Sequence, residues 1–119
     1  MPSKEEIIQR VGEDLYLVPI AQPLEDHDKL RIEQSYNEAY ALVKSKELDT
    51  WGIDSDVPDL AAPYFCLIIE EKLLTVYSVP DARYARIKTD AGQDGELALR
   101  KLAEATLTSY ESINDDVDF

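Results

Sequence analysis

Apolar residues recur at helical spacing along most of the chain. Ser3 stands three residues before Glu6 as a capping box, and Ile7, Ile8, Val11 and Leu15 follow at three- and four-residue steps. This predicts an amphipathic first helix whose last turn is weakened by Gly12. From Gly12 to Asp28 the pattern lapses. Pro19 and Pro23 interrupt it, Leu15-Tyr16-Leu17-Val18 is a short β-prone run, and acids gather around His27, so the stretch reads as a largely extended connection. Asp26 or Asp28 can cap a second helix, in which Leu30, Tyr36, Ala39, Tyr40 and Val43 recur up to about Leu48.

Trp51-Gly52-Ile53 and Asp54-Ser55-Asp56 form a polar turn region that ends at Pro58, a residue suited to the first position of a third helix. Between Leu60 and Tyr77 apolar side chains cover more than one face, so this helix is expected at the centre of a bundle. After Ser78-Val79-Pro80, the residues Ala82, Ala85, Ala91, Leu97, Leu99, Leu102 and Ala103 mark a last helical stretch, Pro80–Ala105. Gly92 and Gly95 allow one long helix or two joined near Ala91–Gly95, each glycine costing about 1 kcal/mol relative to Ala. One long helix is the expectation. The fold class predicted is all-α, a small bundle of about four helices over residues 1–106 with an extended acidic C-terminal arm over 107–119.

Charge narrows the function classes. The 119 residues hold 12 Lys+Arg against 25 Asp+Glu, a formal charge of 12 − 25 = −13. Such a chain lacks the basic surface that displaces counterions from phosphate, so nucleic acid is not expected as a gripped ligand. The longest apolar run, Leu60 to Ile69, contains Pro63 and falls far short of the ~20 residues of a membrane span. The first residues carry acids and no apolar stretch of the secretory kind, which leads to the expectation of a cytosolic protein.

Catalytic candidates are few. Cys66, the one cysteine, lies in the apolar run and is expected to be buried and inert. His27 is expected as a solvated side chain in a turn, and its neighbours Glu25, Asp26 and Asp28 are not expected to converge on a metal. Asp54-Ser55-Asp56 lacks the glycine and terminal Glu of a calcium loop. Ser45, Ser55, Ser78 and Cys66 have no recognisable nucleophile elbow or partner histidine. Gly92 and Gly95 stand without the lysine of a phosphate-binding loop. The adjacent acids Glu70 and Glu71 point about 100° apart on a helix and read as a solvated face. The sequence therefore predicts no enzyme activity, no cofactor and no metal. Seven tyrosines and Trp51 are more suggestive, because amphipathic rings concentrate at interfaces as well as at the margins of small cores.

The order of these elements resembles the head-to-tail adaptors of tailed bacteriophages, also called connector or head completion proteins, and especially the tail accessory factors of short-tailed phages. The likeness lies in Tyr36–Trp51, Val57-Pro58-Asp59-Leu60, Tyr64–Tyr77 and Pro80–Ala105, with Gln93-Asp94-Gly95 interrupting the last helix where such proteins usually continue. The resemblance implies a structural virion protein that forms a ring, commonly of twelve copies, under the portal protein and joins the capsid vertex to the tail or nozzle protein. DNA would pass its lumen without being gripped, and acidic residues there would repel it. The arm would reach the portal or neighbouring subunits through Tyr110, Ile113, Val117 and Phe119 as partner-binding anchors. The implied location is the head-tail junction, after assembly in the host cytoplasm. A second class is compatible with the same charge, an acidic immunity or inhibitor protein that meets a basic toxin or nuclease.

Overall fold

The computed structural model describes residues 1–90, 95 and 97–104. Among these the chain is all-helical: α1 (Lys4–Asp14), α2 (Asp26–Ser45), α3 (Ala62–Leu73), α4 (Asp81–Thr89) and a further helical stretch over 97–104. The predicted arm 107–119, including Tyr110, Ile113, Val117 and Phe119, lies outside the described residues. Within the expected last helix, Pro80–Ala105, α4 and 97–104 are described, and residues 91–94, 96 and 105 are not.

The first helix starts as its sequence predicts, with the Ser3 hydroxyl accepting from the Glu6 amide at 3.2 Å. It buries Ile7, Ile8 and Val11. Gly12 has a packing role, because a Cβ there would stand 2.5 Å from Leu24 Cδ2 of the connection. Both α1 and α2 end in paired back-bonds. The amides of Tyr16 and Leu17 donate to the carbonyls of Glu13 and Gly12, and those of Glu47 and Leu48 donate to Lys44 and Val43, all at 3.0 Å. This geometry puts Tyr16 (φ 61°) and Glu47 (φ 57°) in the left-handed region, where glycine is usual. The second ending turns Leu48 back onto the core, so α2 stops at Ser45 and not near Leu48. Leu15–Val18 forms no strand, since the chain turns at Tyr16.

Two other boundaries depart from expectation. The third helix begins at Ala62, not at Pro58, and Leu60 is exposed. Pro63 has no N–H to donate four residues back and its ring would crowd the carbonyl of Asp59, so a regular helix can hold Pro63 only in its first turn. Pro58–Ala61 instead forms a tight turn, with the Ala61 and Ala62 amides on the Pro58 carbonyl. The same helix ends at Leu73 and not at Tyr77, because β-branched Thr75 and Val76 disfavour continuation and Pro80 biases Val79 away from helical backbone.

The three longer helices pack on one another, α2 against both α1 and α3, while α4 lies against α3. At the centre Phe65 meets Tyr36 and Trp51 edge to face, with ring centroids 5.1 and 5.3 Å apart. Tyr40 closes the cluster, its hydroxyl donating to the Trp51 carbonyl at 2.8 Å. The Tyr36 hydroxyl is buried without a partner, and burial pushes its pKa up to about 12.

These observations lead to two stability predictions, measured by denaturant unfolding. Tyr40→Phe lowers stability by about 1 kcal/mol because it leaves a buried carbonyl unpaired, whereas Tyr36→Phe causes no loss because the hydroxyl it removes has no partner. Glu47→Gly raises stability by about 0.5–1 kcal/mol, as glycine meets no Cβ penalty in the left-handed region.

Candidate functional site

The most unusual side-chain arrangement joins three helices under the surface. Glu70, on the inward face of α3, is 1% exposed, which corrects the expectation of a solvated Glu70-Glu71 pair. Only Glu71 faces solvent. Consecutive helical residues diverge, and the inward one falls on the stripe of Cys66, Ile69 and Leu73. Asp14, the last residue of α1, lies beside Glu70, close enough for the two carboxyl groups to act on one another. From α4, Arg83 Nη2 approaches Asp14 Oδ1 and Glu70 Oε1, both at 3.7 Å. Its Nε donates to the Asp14 backbone carbonyl at 3.2 Å, where the C-terminal end of α1 favours a cation.

Burial dominates the electrostatics of this cluster. It raises Glu70 to about 8, assisted by the Asp14 charge, while Arg83 pulls the other way. Asp14 is also raised by burial, with Arg83 and Arg10 opposing. Cys66, next to the cluster, is buried as its sequence predicts, and desolvation pushes its thiol up to about 12, away from the reactive thiolate. Burial thus favours the protonated form of Glu70, and the Arg83 guanidinium favours the charged one.

The surface carries a second feature, the loop that follows α1. Glu13 accepts from the Ala21 amide and from Gln9 Nε2, both at 3.0 Å, and Gln9 Nε2 also donates to the Gln22 carbonyl at 2.6 Å. These bonds hold the Glu13 carboxyl below its usual range. The braced loop displays Tyr16, 66% exposed, and Ile20, 84% exposed, with Ala21 also left-handed at φ 68°. The segment expected as a largely extended connection is thus a braced loop. The signal available was the apolar run Tyr16-Leu17-Val18 before Pro19 with Ile20 after it, too apolar for a plain linker.

At the start of α2, Glu25, His27 and Asp28 come closer than their sequence suggested, with one ligand atom of each within 4.8 Å of the others. The first helical turn causes this convergence, and the imidazole stands 3.4 Å from each carboxylate. Asp28 is further engaged by the Tyr77 hydroxyl at 2.8 Å. His27 itself is exposed, as expected. Among the described residues no helix is long and apolar enough to cross a membrane. A shallow groove of about 390 Å³ runs between the start of α3 and the 97–104 stretch, lined by Leu60, Pro63, Tyr64, Ala98 and Leu102 among others. No protein-family model matches this chain, and no curated protein and no solved structure matches it.

The ion cluster yields a pH prediction with a definite sign. Glu70 moves from an ordinary 4.5 to about 8 on folding, so the folded chain binds more protons than the unfolded one across that interval. Stability from this group is fully present below about pH 4.5 and is lost as pH rises through about 8. The full shift corresponds to about 3–5 kcal/mol. Unfolding measured from pH 5 to 9 is expected to show a downward slope that Glu70→Gln largely removes, while Arg83→Ala makes the slope steeper, its cost rising to about 2–3 kcal/mol at high pH where the Glu70 carboxylate is charged and left without its cation.

Proposed function

We propose that this chain acts through its surfaces as a structural protein, a head-to-tail adaptor that forms a ring beneath a phage portal and links it to the tail. The observation that carries the reading is the braced loop displaying Tyr16 and Ile20 to solvent. Large apolar side chains held in place by polar contacts at their base lose little freedom on docking, which favours a preformed interface. Leu30 and Leu60 add exposed apolar area elsewhere on the bundle. The ionisable groups Asp14, Glu70 and Arg83 that converge under the surface tie three helices together. Together with the order of elements described above, these features favour assembly over catalysis. The strong negative charge suits a channel lining that does not retain DNA. It also suits an inhibitor of a basic toxin or nuclease, which remains the alternative outcome of the test.

Native mass spectrometry of the full chain, with and without a portal protein, checks this reading. The expected result is a chain that joins a ring of about twelve copies when portal is added, from the ring size the resemblance implies. The double variant Tyr16→Gly, Ile20→Ser is expected to keep its thermal stability and to weaken association at least tenfold. A truncation after Ala105 is expected to keep its helical circular dichroism and to lose portal docking. A chain that stays monomeric, ignores portal and neutralises a basic toxin would overturn the adaptor reading in favour of the inhibitor.

A further inference from the structure

We propose that the groove between α2 and the end of α3 is a docking site for this chain's own residues 105–119, which place carboxylates on Arg31 and Lys72 and apolar side chains between Leu30 and Val76. The groove encloses about 460 Å³. Leu73 is buried at its base, and Leu30 and Val76, 68% and 44% exposed, present apolar surface to whatever enters. Arg31 and Lys72 line it as well, with Glu38 as the one carboxylate among the described lining residues.

The cations of this groove differ from others on the molecule. Arg10, Arg83 and Arg86 are held 3.9, 3.7 and 3.5 Å from aspartate oxygens. Arg31 and Lys72 pair with no carboxylate among the described residues, although acids outnumber bases 25 to 12 along the chain. Two cations left available beside an open apolar groove fit an occupant that is both acidic and apolar, since charge complementarity selects partners and a guanidinium binds carboxylates strongly.

The chain carries such a segment. Residues 105–119, outside the described ones, hold Glu111, Asp115, Asp116 and Asp118 with no Lys or Arg, interspersed with Leu107, Tyr110, Ile113, Val117 and Phe119. They begin within reach of the groove. Leu102 lies against Pro63 and Tyr64 at the start of α3, and the ten residues from Pro63 to Leu73 rise about 15 Å along that helix. Fifteen residues can extend about 50 Å, enough to pass round the bundle and set the acidic residues beside Arg31 and Lys72. Attachment to the same chain supplies an effective concentration on the order of millimolar, so modest contacts suffice. The groove beside Leu102 itself offers an acidic segment less, a single cation, Lys101, with Asp59 as its neighbour in the lining.

Paramagnetic relaxation in the full chain tests the docking, with a nitroxide attached at Ser112→Cys; Cys66 is buried and takes no label. Amide signals of Leu30–Gln34 and Lys72–Val76 are expected to weaken at least twofold and to stay weakened on about tenfold dilution, as an intramolecular contact must. Adding Arg31→Glu and Lys72→Glu is expected to restore those signals with the helical circular dichroism unchanged, because both side chains are exposed. Should that charge reversal disturb folding, Arg31→Gln with Lys72→Gln is expected to restore them in part. Signals that never weaken, weakening centred on Leu60–Tyr64 instead, or weakening that survives the loss of both cations would overturn the proposal. Weakening that fades on dilution would overturn it in favour of docking by a second copy. No portal protein is present in the measurement, so its outcome is independent of the adaptor reading.

Discussion

Phe65 stands edge-on to both Tyr36 and Trp51, and the arrangement of the bundle depends on that contact. Tyr36 comes from α2, Phe65 from α3 and Trp51 from the segment that joins them, so one aromatic cluster sets the angle of the helix pair and the path of its connection. The Tyr40 hydroxyl bound to the Trp51 carbonyl keeps that segment from swinging away. α1 then packs against the pair through Ile7 and Val11, both fully buried. A small domain has limited apolar surface to bury, and here much of it is spent in rings that also have directional preferences.

The second constraint is electrostatic. A chain of formal charge −13 has few cations to distribute, and it places Arg83 where two carboxyl groups lie under the surface. Buried charge is costly in general, and burial accordingly pushes the Glu70 carboxyl toward its protonated form. Packing through Ile87 and the Arg83 contacts to Asp14 and Glu70 both tie α4 to the core.

The surface loop after α1 shows the opposite arrangement. Gln9 and Glu13 of α1 brace the backbone of residues 21 and 22, while the loop turns Tyr16 and Ile20 outward and keeps Leu17 and Val18 against the core. Tyr16 accepts a backbone conformation that favours glycine and is still a tyrosine, so the position combines local strain with an exposed ring. This inversion is what the proposed role at an interface explains.

Local rules in the sequence determined the helical class, the Ser3 cap, the face of α1, the buried Cys66 and the exposed His27, since spacing and capping act within one or two turns. They also placed a turn before the third helix, although the ring of Pro63 moved its start to Ala62. Three features were decided only by the tertiary structure. Glu70 is buried and Glu71 is not, because the register of α3 against α1 and α4 selects one of two adjacent acids. Asp14 and Arg83 lie 69 residues apart and meet Glu70 only when α4 folds back. The exposure of Tyr16 and Ile20 depends on Glu13 and Gln9 reaching across the loop to hold it. Each of these depends on contacts between segments distant in the chain or on the register of one helix against another, and periodicity along a single strand of sequence carries no record of either.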